Sequence, residues 1–276
     1  MRPALPNLVV IGAMKCGTTS LNDYLDLHPD VHMAPDKEIN FFSGENAHRS
    51  LDWYCAQYDG TKAVRGEASQ NYTKSHHPFY KGAPERMAAI IPDAKLIYLV
   101  RDPIERYRSH IVENYVGETV QEDIAWNLAN DHQFQTGKYA WQLRFFLEHF
   151  RMEQILVVDS DELNRARHET MNDIFAFLGL DAIADEKAFA FKSNTNASNG
   201  VPSRWRMALP YRAARKLAPF DLDAQLSRPA ISRILFPGLE KPDLSADQVD
   251  ELRSRYAPEV AQLRALTGQS FAKWQV

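Results

Sequence analysis

Short runs of consecutive apolar residues recur along the chain, and helical stripes of apolar residues separate them. The first run, Leu8–Ile11, ends at Gly12, and apolar side chains then recur at helical spacing from Leu21 to His28. A run of this length fits a buried strand, and an i, i+3, i+4, i+7 stripe is typical of a helix with one buried face. Pro29 ends the stripe because proline cannot continue a helix. The pattern therefore predicts a strand, a tight turn and a helix.

The same alternation continues through most of the chain. Further runs of strand length lie at Ala63–Tyr72, which turns polar at its end, at Lys95–Val100 and at Gln154–Val158. Helical stripes lie between and after them, at Pro84–Ile91, 104–115, 138–150, 171–178 and 249–263. Asp161–Leu163 is predicted to form a turn, and Ser245–Gln248 has the pattern of a capping box before the last stripe. Strands that alternate with helices are typical of a parallel sheet covered by helices on both faces. We therefore predict a three-layer α/β/α fold with a central parallel sheet.

A chain of 276 residues is long enough for one large α/β domain. No internal repeat or linker divides it, so we predict a single domain over 1–276. This domain has a core at 8–180, a basic loop and helical region at 190–240, and a C-terminal helix at 245–276.

Composition and charge narrow the class of protein. Hydrophobic residues make up 45% and charged residues 25% of the chain, which is typical of a soluble globular protein. A net charge of −4 argues against general affinity for nucleic acid. The two cysteines, Cys16 and Cys55, argue against a disulfide framework. No signal-peptide pattern or apolar run of membrane-spanning length is present, so we expect a cytoplasmic protein.

The turn after the first strand has the residues of a phosphate-binding loop. Gly12 and Gly17 allow the backbone to approach an anion closely, and Lys15 supplies a full positive charge. Thr18 and Thr19 supply hydroxyl donors at the start of the helix, where backbone N–H groups have no internal partner and the helix dipole is positive. Without the lysine, the same pattern describes an ordinary strand–helix turn.

The order of these residues differs from a Walker A loop, which reads G-x-x-x-x-G-K-[ST]. Here Lys15 precedes Gly17, and two threonines follow. The order Lys-x-Gly-Thr-Thr resembles the 5′-phosphosulfate loop of sulfotransferases that use 3′-phosphoadenosine 5′-phosphosulfate (PAPS). This resemblance implies an architecture like that of the P-loop nucleotide kinases and a cofactor-binding set of Lys15, Cys16, Gly17, Thr18, Thr19 and Ser20. Within it, Cys16 is interpreted as a small filler and not as a nucleophile.

Two further segments resemble the same family. Lys37–Phe42 is similar to the Lys-Glu-x-x-Phe-Phe signature of heparan-type and related bacterial sulfotransferases, which implies that Lys37 lies beside the phosphosulfate. Gly66–Tyr72 resembles the Gly-Glu-x-Ser-x-x-Tyr segment, which implies that Glu67 is the catalytic base. Many family members have lysine where this chain has Ala68. From the residues alone, a solvated lysine and a paired structural carboxylate remain alternatives.

The strand Lys95–Val100 delivers Arg101-Asp102-Pro103, and proline suits the first turn of a helix. Ser109 lies off the apolar stripe of that helix, so a guanidinium and a hydroxyl can converge on one phosphate. The arrangement resembles the 3′-phosphate-binding motif of the same family, Arg-Asp-Pro followed by Ser. The alternative is that Arg101 pairs with a nearby carboxylate.

The region around 191–206 is rich in Asn, Ser, Lys and Arg, which is typical of a surface loop. Sulfotransferases have a late basic loop that folds over the nucleotide, and the resemblance implies this role for Lys192, Asn196 and Arg204. Between Gly200 and Leu235 basic residues outnumber acidic ones, so this stretch is either a solvated face or a surface that attracts an anionic acceptor or lipid.

The resemblance implies that the chain moves a sulfuryl group from PAPS to a hydroxyl or amine of a small-molecule, lipid or glycan acceptor. In this scheme Lys15 and Lys37 stabilise the leaving group, Glu67 takes the acceptor's proton, and no metal is required. Two alternatives remain: an ATP-dependent kinase, with Asp102 as a magnesium ligand, and a catalytically silent nucleotide- or glycan-binding module. The acceptor and the oligomeric state are not predicted.

Overall fold

The computed structural model describes residues 4–117, 131–191, 208–218, 222–226, 228, 231, 235 and 243–276. Five strands form one parallel sheet: β1 Leu8–Gly12, β2 Val31–Met33, β3 Val64–Ala68, β4 Lys95–Val100 and β5 Ile155–Asp159. Their order in the sheet is β2-β3-β1-β4-β5. The chain runs from β1 to β2 on one side of β1 and from β3 to β4 on the other side. The direction of the connections therefore reverses next to β1, and a crevice is expected beyond its carboxyl end.

Helices flank the sheet, as predicted for an α/β fold. The first five are α1 Thr18–Leu25, α2 Leu51–Cys55, α3 Ala83–Ile90, α4 Pro103–Gly117 and α5 Asp131–Thr136. The described ranges further along the chain contain α6 Tyr139–Leu147, α7 Ser160–Arg165, α8 Arg167–Leu178, α9 Leu209–Leu217, α10 Leu222–Leu226 and α11 Ala246–Thr267. Short 3₁₀ helices lie at Gln70–Thr73, Met152–Gln154 and Glu186–Phe189.

Two elements differ from the sequence interpretation. The short edge strand β2 was not predicted, since its three residues are too few for a recognisable apolar run. The segment Asp161–Leu163 was predicted as a turn, but it lies within α7. The reason is a cap: the Asp159 side chain accepts a hydrogen bond from the Asp161 N–H at 2.9 Å and so starts a helix immediately after β5.

The apolar core is continuous from the sheet to the C-terminal helix. Every residue of β1 is buried, and the same hydrophobic cluster includes Val260 and Leu263 of α11 and Trp274 beyond it. The capping box predicted at Ser245 is present, with its hydroxyl accepting from the Gln248 N–H. A second cluster packs α11 against α4, so α11 supports a helix that carries predicted site residues.

Candidate functional site

A polar cleft of about 540 Å³ opens at the carboxyl end of the sheet. Its lining residues come from the segments that follow each of the five strands. They are Lys15, Cys16, Gly17, Thr18, Thr19, Ser20, Tyr24, Lys37, Glu38, Gln70, Arg101, Ser109, Ser160, Asp161 and Asn164. A larger cavity of about 800 Å³ shares none of these residues. The structure therefore gathers the phosphate loop, Lys37 and the Arg101–Ser109 pair in one cleft.

The loop after β1 curves around the head of α1. Lys15 adopts a left-handed backbone conformation, with φ of 69°, and Gly17 caps the helix at φ of 95°. No side chain caps this helix, so the N–H groups of its first turn are available to a bound anion. An anion seated here meets the positive end of the helix dipole and the Lys15 ammonium together.

Lys37 reaches the same loop from the segment after β2. Its ammonium donates a hydrogen bond to the Thr19 hydroxyl at 2.5 Å and lies 3.5 Å from the Glu38 carboxylate. The Gln70 amide donates a hydrogen bond to the same carboxylate oxygen, Glu38 Oε1, at 2.7 Å. Glu38 was not assigned a role from the sequence, yet its half-buried carboxylate lines the cleft beside Lys37.

Glu67 does not line the cleft. Its side chain is fully buried, and its oxygens accept hydrogen bonds from the hydroxyls of Tyr54 at 2.6 Å, Ser69 at 2.5 Å and Tyr72 at 3.0 Å. Burial raises the pKa of this carboxyl, while the three hydroxyl donors oppose the rise. A general base must come within hydrogen-bond reach of the acceptor, and Glu67 lacks that access in this structure.

The Glu67 network instead supports the segment that carries Lys37 and Glu38. The Ser69 hydroxyl that donates to Glu67 also accepts from the Asn40 N–H at 3.0 Å. The Tyr72 hydroxyl accepts from the Phe42 N–H at 3.3 Å. The Phe41 ring stacks on Tyr54 with centroids 4.0 Å apart. Glu67 therefore acts as a buried anchor beneath this segment.

Arg101 and Ser109 both line the cleft. Arg101 also forms a partly exposed ion pair with Glu105 at 3.7 Å. Asp102 points away from this surface: it is buried, accepts from the Ile104 N–H at 2.8 Å and accepts from the Gln275 N–H at 2.5 Å. The Asp102 carboxylate therefore caps α4 and fixes the C-terminal segment, which leaves it poorly suited to bind a metal ion.

A family model described as a sulfotransferase domain matches residues 5–203. The chain belongs to the sulfotransferase domain family. This confirms the predicted family and enzyme class.

Relatives and a solved structure agree with this membership. A bifunctional heparan sulfate N-deacetylase/N-sulfotransferase 1 from Caenorhabditis elegans is 28% identical over 197 residues, which cover 65% of this chain and 22% of the relative. Mouse heparan sulfate glucosamine 3-O-sulfotransferase 3B1 is 30% identical over 213 residues, covering 72% of this chain and 51% of the relative. The chain thus spans about half or less of these relatives.

The crystal structure of a sulfotransferase from Alicyclobacillus acidocaldarius superposes with a TM-score of 0.67 at 26% identity. The match covers 99% of this chain and 100% of that one. The predicted α/β architecture with a phosphate-binding loop is therefore confirmed.

One part of the cleft, the wall formed by the helix after β5, was not predicted from the sequence. Ser160, Asp161 and Asn164 of α7 line the cleft as well. They follow the carboxyl end of β5, so the rule that ligands bind beyond the strand ends could have found them. The Asn164 amide donates to the Ser160 carbonyl at 2.8 Å, which keeps this wall in one conformation.

Asp159 starts α7 through its side chain, and its ionisation should make the stability of the fold depend on pH. Burial raises its pKa from 3.8 to about 6 in the folded protein, although the Asp161 N–H and Trp274 Nε1–H donate to it. The ionised form therefore destabilises the fold, and stability should fall as pH rises from 3.8 to about 6. Asp159→Asn cannot ionise and should lack this fall. Urea unfolding of both proteins across this range measures the difference, and parallel pH profiles would contradict it.

The structure shows the surroundings of Cys16, which the sequence analysis interpreted as a filler of the phosphate loop. Cys16 is buried, and desolvation raises its pKa to about 11, so its thiol stays protonated and serves as a filler. In the described ranges, no group of three or more His, Cys, Asp or Glu side chains is arranged to hold a metal ion. Lys192, Asn196 and Arg204, predicted for the late loop, lie outside the described residues.

Proposed function

We propose that this domain transfers the sulfuryl group of PAPS to a hydroxyl or amine of a small-molecule, lipid or glycan acceptor by in-line displacement. The observation that carries the proposal is the pair of anion-binding positions in one cleft. The Lys15 loop with Lys37 suits the 5′-phosphosulfate, and Arg101 with Ser109 suits the 3′-phosphate. ATP has no 3′-phosphate for the second position to bind.

The leaving group of this reaction is a phosphate oxygen that gains negative charge as the bond to sulfur breaks. Lys15, the Thr18 and Thr19 hydroxyls, and the first-turn N–H groups of α1 supply positive potential at that oxygen. Lys37 adds a second ammonium, which Thr19 holds in place through the 2.5 Å hydrogen bond. These groups are in position before the substrate arrives, so little reorganisation is needed during transfer.

In this proposal Glu38, and not Glu67, removes the acceptor's proton. Glu38 lines the cleft next to Lys37, and the Gln70 amide orients its carboxylate. Its backbone φ of 63° lies in the left-handed region, and its N–H donates to the Ala68 carbonyl at 3.0 Å. A strained conformation held in this way is common at functional positions.

The kinase alternative receives less support. A kinase needs ligands for a magnesium ion that bridges ATP phosphates, and the Asp102 carboxylate already accepts hydrogen bonds from three backbone N–H groups. The silent-binder alternative is tested by measuring turnover.

None of the helices in the described ranges has both the length and the hydropathy of a membrane-spanning segment. The cytoplasmic location expected from the sequence stays a prediction.

Selection of the nucleotide through its 3′-phosphate gives a first test. Adenosine 3′,5′-bisphosphate should bind at least about tenfold more tightly than 5′-AMP, because charge-assisted hydrogen bonds are the strong ones. Arg101→Ala should remove most of this preference. Arg108→Ala is the matched control, since Arg108 lies on α4, the helix that follows Arg101, but pairs with Glu105 and Asp243. Calorimetry measures the affinity of each of the three proteins for both nucleotides, and equal affinities for the two nucleotides in the unaltered protein would refute the assignment.

Transfer itself is tested with labelled PAPS and a panel of alcohols, phenols, amines and glycans, scored by the mass of the product. The relatives' names include both an N- and an O-sulfotransferase, so the panel must offer amines and hydroxyls. A sulfated product from any class supports the proposal. Tight binding of adenosine 3′,5′-bisphosphate with no product across the panel would favour the silent binder.

A further inference from the structure

Arg106, on the first turns of α4, is the largest fully buried side chain of the described chain. A guanidinium stays protonated at every pH at which proteins fold, so its charge is buried with it. A buried charge without an ionic partner is strongly unfavourable, and folded proteins normally pair it. The mechanism proposed above gives this residue no role.

The partners of Arg106 are all uncharged. One guanidinium nitrogen donates to the Gln133 carbonyl, and another lies 3.2 Å from His110 Nδ1. The neutral Tyr256 hydroxyl is a further partner of the guanidinium. Within the described ranges, no Asp or Glu forms an ion pair with it. His110 does not oppose its charge either, since burial and the nearby cations hold the pKa of that imidazole well below its usual value.

The helix α4 brings Arg106 near the cleft. Arg106 is three residues before Ser109, which lines the cleft, so both lie on one side of α4, and the helix begins two residues after Arg101. Its charge also acts on Cys16 of the phosphate loop, where it lowers the thiol pKa against the larger effect of burial. The Tyr139 hydroxyl, 3.6 Å from Cys16 Sγ, lies in the same layer of neutral groups.

Among the residues that the structure describes, the side chains lining the cleft carry a small net charge: Lys15, Lys37 and Arg101 are cations, and Glu38 and Asp161 are carboxylates. PAPS carries a 3′-phosphate and a 5′-phosphosulfate. A further positive charge in a low-dielectric layer behind the cleft is felt more strongly than one in solvent.

We propose that Arg106 is a buried counter-charge for the bound bisphosphorylated nucleotide: it is a positioning residue that attracts both phosphate groups through the protein without touching them. The proposal rests on the proposed function, since it needs a nucleotide with two anionic groups in this cleft. It also explains why an unpaired guanidinium is retained: its ionic partner is the ligand.

The test compares affinities for a charged and a neutral ligand. In Arg106→Met, the affinity for adenosine 3′,5′-bisphosphate should fall by at least about tenfold, because one full charge is lost from a poorly screened position. Affinity for adenosine should change little. The melting temperature without nucleotide should stay the same or rise, because an unpaired buried charge is replaced by an apolar side chain of similar length. Calorimetry and thermal unfolding measure these quantities.

Two further variants separate charge from structure. Arg106→Lys keeps the charge and should retain most of the bisphosphate affinity, even if its melting temperature falls. Arg108→Met removes a charge from the partly exposed side of the same helix and should change the affinity less than Arg106→Met. Equal losses for adenosine and the bisphosphate, or an unchanged bisphosphate affinity in Arg106→Met, would overturn the proposal. The proposal would also be overturned if Arg106→Met does not fold and Arg106→Lys loses affinity for the bisphosphate. None of these results touches the proposed function, which fails instead if the unaltered protein does not bind the bisphosphate.

Discussion

Replacing Glu38 with glutamine is expected to lower the acceptor-dependent rate of sulfuryl transfer by roughly 10²–10⁴-fold, the usual contribution of a general base. The amide cannot take the acceptor's proton, but its oxygen can still accept the hydrogen bond from Gln70. Glu38 is partly exposed and outside the apolar core, so the melting temperature should change little. Affinity for adenosine 3′,5′-bisphosphate should also be retained, because Glu38 repels the nucleotide if it acts on it at all. Initial rates with saturating acceptor measure the effect.

Glu67→Gln is the matched comparison, since it makes the same chemical change one strand away. Its amide would place a donor against Ser69 and Tyr72, whose hydroxyls already donate to Glu67 and accept from Asn40 and Phe42. A buried polar group left unsatisfied costs about 1–3 kcal/mol, so the melting temperature should fall. Any loss of rate should then accompany the loss of stability. The opposite result is a large loss of rate in Glu67→Gln at an unchanged melting temperature, with a near-normal rate in Glu38→Gln. That result would show that Glu67 is the general base.

The phosphate loop and the Arg101–Ser109 pair were predictable because their placement follows from local rules. A buried strand, a glycine turn and a helix bring Lys15 and Thr19 to one end of the sheet whatever the rest of the fold does. Arg101 follows β4 in the same way, and the apolar stripe of α4 leaves Ser109 outside the core. Sequence order and helical period are sufficient in these cases.

The roles of Glu38 and Glu67 depend on long-range packing that sequence order does not contain. Both lie within the family-like segments, but only the fold shows that Tyr54, from α2, covers Glu67. The left-handed backbone at Glu38, with φ of 63°, has no glycine to signal it. The carboxylate nearer to the cleft therefore could not be distinguished from the one beneath it by spacing alone.

The unpaired charge of Arg106 was equally hidden. On the helical stripe of α4 it lies next to apolar positions, where arginine is ordinarily read as a side chain that extends to solvent. Its burial results from α5 and α11, which close over α4 from distant parts of the chain. The sequence shows that this residue is an arginine, but only the tertiary structure shows that it is buried.

Gly12→Ala is expected to destabilise the domain strongly, because there is no space for a side chain at the end of β1. A Cβ atom at Gly12 would lie 2.1 Å from Thr73 Oγ1 and 3.2 Å from Thr73 Cβ, and the glycine φ of 154° disfavours any L side chain. Overpacking of this kind costs about 1–3 kcal/mol, and the backbone conformation adds a similar amount. The melting temperature should therefore fall by roughly 6–12 °C. Nucleotide affinity should fall with it, because the displaced strand end leads directly into the Lys15 loop.

Two controls locate the cause of that loss. Gly179→Ala, at a helix end with φ of 80° and nothing within 4 Å of the new Cβ, should cost only the backbone conformational preference, about 1 kcal/mol. Combining Gly12→Ala with Thr73→Ala removes the hydroxyl and methyl groups that collide, so the double variant should be more stable than Gly12→Ala alone. Thermal unfolding of the four proteins decides the matter. If the double variant is no more stable than Gly12→Ala, contact with Thr73 is not what requires glycine at the entrance to the phosphate loop.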